Sequence, residues 1–285
     1  MTSPNAATRE RLVSLTLTVF AFSSLVFLFL IFLFILIEGL PLFFKVGIKH
    51  IILGFKWAPT RGSFGIFPMI VSSCLVTIGA LLIGGPLGLG CAIYLAEYAG
   101  KKGRIYLKPS LELLAGIPSV VYGFLGVVYI VPLIREQLGG SGFSLITTSM
   151  VLGIMILPTV ISISYDALMS VPRSYREGSL AMGATKWQTV YRVVVPTARS
   201  GILASFILGM GRAVGETMAV IMVAGNALKI PTSLLDPVRT LTSNIALEMG
   251  YSAGEHRQAL FAAGIVLFIF IMTLNIIANL IMKRK

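Results

Sequence analysis

Apolar positions gather into six long blocks, at 15–37, 69–96, 111–134, 144–168, 201–223 and 260–282, with short polar stretches between them. A helix needs roughly 20 predominantly apolar residues to cross about 30 Å of hydrocarbon. The pattern therefore predicts six membrane-spanning helices. The third block opens with Glu112 and the fifth carries Arg212 and Glu216, so these two rest on their flanks as well as on hydropathy. The first block holds 23 uncharged residues, more than the about 7–15 of a signal-peptide core, which predicts a retained first helix without cleavage.

One stretch breaks the apolar rhythm: EGSLAMGATKWQTVYRVVVP at 177–196. Ser170-Val171-Pro172 stops the preceding span, and proline suits the first turn of a new helix, predicted over 173–182. Gly183 fits a left-handed C-terminal cap, and Thr185 with Gln188 is a capping-box pattern. The second helix places Trp187, Val190, Tyr191 and Val194 on one apolar face and Lys186, Gln188 and Arg192 on the other, with Pro196 as its end. Two short helices around a glycine corner read as a knob that fits a groove in another protein, or as a helix pair lying on the bilayer.

Glycine and proline punctuate the inner blocks. Gly84-Gly85-Pro86 predicts a kinked helix whose freed carbonyl is tolerable only inside protein or against a wet cavity, and Gly84 with Gly88 is a small-xxx-small packing signal. Gly116, Pro118, Gly123, Gly126 and Pro132 punctuate the third block, and Pro158, Ser162 and Ser164 the fourth. Spans two to five thus read as the core and the Phe- and Leu-rich first span as a lipid-facing collar. The sixth, with Asn275 and Asn279 at helical spacing, fits either role.

The aromatic-rich loop at 38–68 reads as an interfacial anchor in preference to a docking loop. The loop at 224–258 holds a helical, partly embedded segment at 241–249. It is either a docking surface for an external protein or a connector.

Composition agrees: of 285 residues, 56% are hydrophobic and 12% charged, against about 25% charged in soluble domains, and the mean hydropathy is +0.92. This is an integral membrane protein. Its net charge of +12 is spread over short loops and tails with no basic arm, which argues for membrane orientation and against nucleic acid. An N-terminus on the cytoplasmic side puts 14 of the 23 basic residues there: Arg9, Arg11, Lys101, Lys102, Arg104, Lys108, Arg173, Arg176, Lys186, Arg192, Arg199, Lys283, Arg284 and Lys285. That bias has the sign of the positive-inside rule.

Cys74 and Cys91 stand 17 residues apart on one span, about 25 Å along a helix, too far to bridge. The histidines, His50 and His256, fall in loops and build no metal cluster. No G-x-x-x-x-G-K-[ST] phosphate loop occurs, so an ATP-driven mechanism places the nucleotide on another chain.

Arg212 falls about halfway along the fifth block, where an unaccompanied arginine costs about 2.5–3.5 kcal/mol on insertion scales. Glu216 follows at i+4, and Gly209 and Gly215 at i−3 and i+3 predict a small-residue face where neighbours approach closely. The pair reads as part of a translocation pathway, or as a self-neutralising packing pair. A guanidinium fork matches a tetrahedral oxyanion. A nearby carboxylate can occupy that fork when no anion is present, and can accept a hydrogen bond from protonated phosphate that fully ionised sulfate does not offer.

Glu177, Gly183 and Pro196 stand at the spacing of the E-A-A-x3-G-x9-I-x-L-P loop, so the chain resembles the ABC importer permeases. Its own versions are Glu177-Gly178-Ser179 and Val193-x-Val195-Pro196. PLGLGCAIYLAEYAG at 86–100, IPSVVYG at 117–123, GRAVGETMAV at 211–220 and ALFAAGIVLF in the last block are similar to the phosphate-specific permeases of the PstC type.

The resemblance implies an all-α integral membrane protein with the six-helix type I importer permease (MetI-like) fold, in a bacterial plasma (inner) membrane with both termini cytoplasmic. It divides the chain into residues 1–68, the tail, first span and outer loop, and 69–285, a five-span core whose cytoplasmic loop at 170–200 couples to an ATPase. Coupling would fall to Glu177, Gly178, Ser179, Ala181, Gly183, Ala184 and Pro196, and the phosphate pathway to Arg212 and Glu216.

The implied partners are a sister permease, two ATP-binding subunits carrying ATP and Mg, an external phosphate-binding protein and membrane lipid. No cofactor is expected in this chain. The rival readings are a permease for sulfate, molybdate or phosphonate, and an ion-coupled secondary carrier. An intramembrane enzyme has no H-E-x-x-H, G-x-S-x-G or paired carboxylates to support it.

Overall fold

The computed structural model describes residues 4–283 and is almost wholly helical. Arg284 and Lys285 lie outside the described residues, as do the side chains of Arg9, Lys101, Lys102, Arg104, Glu112, Asn279 and Lys283. In chain order the elements are α1 (Pro4–Val46), α2 (Ile48–Ile52), a two-stranded hairpin of β1 (Trp57–Ala58) and β2 (Ser63–Phe64), α3 (Phe67–Ile93), α4 (Lys101–Ala115), α5 (Ser119–Leu125) and α6 (Val131–Leu138). They continue with α7 (Leu145–Met169), α8 (Arg173–Ala181), α9 (Lys186–Thr189), α10 (Val195–Thr197), α11 (Arg199–Gly215), α12 (Met218–Val223), α13 (Leu241–Met249) and α14 (Glu255–Lys283). Wide π turns at Tyr94–Tyr98, Gly126–Ile130 and Val190–Val194 extend α3, join α5 to α6 and join α9 to α10.

Among the described residues, five helical stretches are long and apolar enough to cross a membrane. A sixth, α11, passes that test only together with the helix before it, from which it bends by 69°.

The core is α3 packed along α7, with α11 against both. Glycine sets their separation. A Cβ at Gly84 would come 2.3 Å from the Gly153 carbonyl, and one at Gly88 would come 2.8 Å from Val160. These backbones meet closely because nothing stands between them, the usual device where lipid removes any hydrophobic drive between helices. A pair of buried hydroxyls joins α7 to α11, Ser164 to Ser205 at 2.8 Å. α1 runs along α14, and its residues from Leu12 to Ile37 are almost all exposed and apolar, the collar arrangement the sequence predicts.

Three expectations about span boundaries are corrected. The first helix does not stop at Ile37 but runs on through Glu38, Gly39 and Pro41 to Val46. Close packing continues there: a Cβ on Gly39 would sit 2.7 Å from Ile265 and 2.9 Å from the Ala262 nitrogen.

The third block is two helices. Pro118 takes an extended ψ of 141°, so α4 ends at Ala115 and a new helix starts at Ser119. The fifth block is also broken, since Glu216 is extended at ψ 131° and α12 starts afresh at Met218.

The loop at 38–68 is less interfacial than its aromatics suggest. Trp57 and Phe64 are buried with Leu42, Ile51, Ile66 and Met69 against Leu241, Ala259 and Leu260, making a folded cap over one end of the bundle. Of its aromatic side chains, Phe44 and Phe55 stay exposed. The helix at Leu241–Met249 forms as predicted, with Leu241, Ser243, Asn244 and Glu248 buried.

Candidate functional site

Local rules build the knob. α8 begins behind Pro172 and α9 behind Thr185, whose hydroxyl accepts from the Gln188 amide at 3.2 Å while Gln188 Oε1 accepts from the Thr185 amide at 2.8 Å. The corner between them is Gly183 at φ +81°, a conformation that disfavours any residue with a Cβ. Ser179 and Thr189 join the two helices through their hydroxyls at 2.9 Å.

Pro196 does not end the second helix. The π turn Val190–Val194 carries the chain past it, the Thr197 hydroxyl donates to the Val193 carbonyl at 2.6 Å, and the bend falls at Ala198. A widened turn leaves an amide-less residue without breaking the ladder.

The predicted apolar face is divided. Val190 and Val194 are buried at 2% and 0%, whereas Trp187 and Tyr191 are 63% and 65% exposed and stack on each other with ring centroids 6.3 Å apart. Val194 packs with Ala92, Leu95, Leu168 and Ile202 at the end of the bundle. Tyr175, Leu180 and Met182 are exposed as well. Of the residues assigned to coupling, Glu177, Gly178, Ala181, Gly183 and Pro196 are exposed and Ser179 and Ala184 half-buried.

Sequence reading missed what fixes the knob. Arg176 donates to Glu97 Oε1 at 2.7 and 3.1 Å and to the Leu168 and Val171 carbonyls at 2.8 and 2.6 Å. Its partner is 79 residues away, so no spacing pattern marks the pair.

Arg212, the other predicted feature, is half-buried on α11. Glu216 is not one helical turn above it, because the helix has ended. Its carboxylate accepts from the Ala219 amide at 3.2 Å and caps α12, and among the described residues no ion pair joins it to Arg212. The small-residue face is divided too: Gly209 is buried against Val160, while a Cβ on Gly215 would meet nothing within 4 Å.

Tyr122 on α5 donates its hydroxyl to the Leu114 carbonyl at 2.7 Å, joining the Ile117 amide at 3.3 Å on a carbonyl whose i+4 residue, Pro118, has no amide to donate. The two broken spans also touch, since a Cβ on Gly123 would come 2.7 Å from Met222 Sδ.

At the capped end a second buried carboxylate gathers donors. Glu248 accepts from Arg239 at 2.6 Å and from Trp57 Nε1 at 2.8 Å, and meets His256 Nε2 at 2.8 Å. Nearby, Lys229 donates to Asp236 at 2.7 Å. That ammonium, helped by Thr232 and Ser233, holds the Asp236 carboxyl well below the usual carboxylate range. No group of three or more His, Cys, Asp or Glu among the described residues is placed to hold a metal ion.

Residues 84–285 match the family described as binding-protein-dependent transport system inner membrane component. A probable ABC transporter permease protein, YqgH of Bacillus subtilis, is 42% identical over 87% of this chain and 83% of its own length. The phosphate transport system permease protein PstC of Mesorhizobium japonicum is 36% identical over 80% and 76%, and that of Xylella fastidiosa 34% over 80% and 77%.

Among solved structures, a bacterial alginate ABC transporter in complex with a pentasaccharide-bound periplasmic protein aligns at TM-score 0.70 and 17% identity, covering 98% of this chain and 96% of the other. The MetNI methionine ABC transporter aligns at TM-score 0.58 and 20% identity, covering 77% and 94%. At such identities these two speak for the fold alone.

Proposed function

The chain belongs to the family of binding-protein-dependent transport system inner membrane components, as a multi-pass permease subunit of an ABC transporter, and we propose that the solute it admits is inorganic phosphate. The observation that carries the proposal is Arg212: a guanidinium half-buried in the bundle with no carboxylate partner among the described residues. Such a fork is available to a tetrahedral oxyanion. The phosphate transport names of relatives at 34–36% identity support the choice of anion.

The remaining parts follow from this reading. The exposed knob docks into an ATP-binding subunit through Glu177, Gly178, Ser179, Ala181, Gly183, Ala184 and Pro196. Two such subunits hold ATP and Mg and carry out hydrolysis, a sister permease completes the membrane unit, and an external phosphate-binding protein delivers the anion at the capped end. Both termini then lie in the cytoplasm, on the knob side. Residues 1–68 supply the collar and part of the cap, and 69–285 the moving core.

ATP-driven closure of the nucleotide-binding pair displaces the knob. Because α10 joins α11 through Ala198 alone, that displacement reaches the helix bearing Arg212 over a short covalent path. Arg212 meets the anion transiently, and Glu216 lies beside its route.

Phosphate uptake by cells expressing Arg212→Gln or Glu216→Gln at parental levels tests the pathway, with sulfate and molybdate as competitors. Uptake is expected to fall at least about tenfold in Arg212→Gln, the scale of one lost charge-assisted contact. Parental uptake in both variants would return the two residues to a packing role.

A further inference from the structure

The break between α11 and α12 carries hydrogen bonds that stand in for those of an unbroken helix. In a continuous α-helix the Val220 amide would donate to the Glu216 carbonyl and the Ala219 amide to the Gly215 carbonyl. Here the Glu216 carbonyl accepts from the Thr242 hydroxyl at 2.9 Å. The Gly215 carbonyl accepts from the Thr217 hydroxyl at 3.3 Å, and the Ala219 amide is taken by the Glu216 carboxylate. Two of these substitutes are local. Thr242 alone comes from a different element, and it is 8% exposed.

The element that presents Thr242 is fixed at both ends. At its start the Leu241 amide donates to Ser73 Oγ on α3 at 3.0 Å, and the capping box of Thr240 and Ser243 closes the first turn. At its far end Glu248 is held by Arg239, Trp57 and His256. α13 is therefore a strut between the cap and the break. Its seating bears on whether the Glu216 carbonyl is served by a hydroxyl or by its own helix, since a carbonyl freed at membrane depth needs a partner from protein or a wet cavity.

That choice reaches Arg212. With the break in place, the Glu216 carboxylate turns away to cap α12. With the helix continuous, Glu216 would stand at i+4 from Arg212, the spacing at which such side chains meet, and would fill the guanidinium fork.

We propose that Thr242 is a positioning residue whose hydroxyl holds the α11–α12 break, keeping the Glu216 carboxylate off Arg212 so that the guanidinium is free for an oxyanion. The inference rests on the pathway reading of Arg212 and adds to it a means by which the capped end controls the site. Withdrawal of α13 lets the helix close and Glu216 displace the anion; return of α13 makes the site receptive again.

The test uses the assembled transporter in lipid nanodiscs with its binding protein. Hydrogen exchange is followed over residues 215–220, and phosphate uptake kinetics are measured in parallel, in Thr242→Val and Thr242→Ser. Valine keeps the shape without the hydroxyl. Thr242→Val is expected to slow exchange over 215–220, because the amides regain helical partners, and to raise KM for phosphate about tenfold with kcat within about twofold. Thr242→Ser restores both.

Unchanged or faster exchange in Thr242→Val overturns the proposal, because merely loosened packing exposes these amides. Slower exchange with an unaltered KM overturns it too, because Arg212 would then be indifferent to where Glu216 lies. Failure of the pathway reading is separately visible: parental phosphate uptake in Arg212→Gln removes that reading whatever the exchange result.

Discussion

The knob and the cap sit at opposite ends of α3, and each is held to the bundle by one buried carboxylate paired with an arginine. At the knob end the pair is Glu97 with Arg176, with side chains 9% and 19% exposed. At the cap end it is Glu248 with Arg239, at 9% and 15%. What surrounds the pairs differs. Arg176 spends its other donors on the Leu168 and Val171 carbonyls, so the anchor lies beneath the knob while Trp187, Tyr191 and Met182 remain outside. Glu248 instead collects Trp57 and His256, drawing the aromatic side chain of the hairpin inward.

One end is a platform that leaves a stacked aromatic pair outside, and the other a cover that buries Trp57 and Phe64 while Phe44 and Phe55 stay exposed. Exposed aromatics are worth their solvation cost where a partner buries them, and the proposed ATPase contact would use the stacked Trp187 and Tyr191 of the knob.

The contrast predicts a graded set of effects on the stability of the purified transporter. Arg176→Ala strands the Glu97 carboxylate in a buried site, and breaking such a pair costs roughly 3–5 kcal/mol. Thermal unfolding in detergent should fall sharply and the ATP-binding subunit should no longer co-purify. A variant with parental Tm and full co-purification would show that the knob is anchored by its packing alone.

Glu248→Ala should cost less. Arg239 retains the Asn226 carbonyl and Asn244 Oδ1, which leaves the Trp57 N–H as the main orphan, at about 1–3 kcal/mol. Here the Tm drops while the ATP-binding subunit stays bound. Loss of that subunit would mean that the two ends are not energetically separate.

Trp187→Ala should leave stability within about 0.5 kcal/mol, as surface changes do, yet release the ATP-binding subunit in pull-down. Retained binding would move the contact surface elsewhere on the knob.

Capping and turn chemistry made most of the knob legible. Thr185 with Gln188 and Gly183 at its left-handed corner act within four residues of themselves, so the sequence around them is sufficient. The same holds for α13, which forms over the predicted residues. The division of the amphipathic face was not legible: periodicity places Trp187, Val190, Tyr191 and Val194 together, and only the bundle end, presented by Ala92, Leu95 and Ile202, decides that Val194 goes inside.

Arg212 and Glu216 show the same limit in sharper form. Their i+4 spacing is a fact of sequence, but whether it becomes a contact depends on a carbonyl whose hydrogen-bond partner, Thr242, comes from 26 residues later.

By itself, then, the sequence determined what depends on near neighbours and on solvent: a membrane-embedded helical protein, an amphipathic island with its caps, and a costly charge in a broken apolar span. Tertiary structure decided where helices end and which charges meet. α1 runs past Pro41 because α14 lies alongside it, α4 and α5 part at Pro118 under the Tyr122 hydroxyl, Arg176 finds Glu97, and Glu216 leaves Arg212. At Glu97 and at the Glu216 carbonyl, the group takes a hydrogen-bond partner that folding brings from a distant part of the chain, because polar backbone and charge in the bundle must be satisfied there.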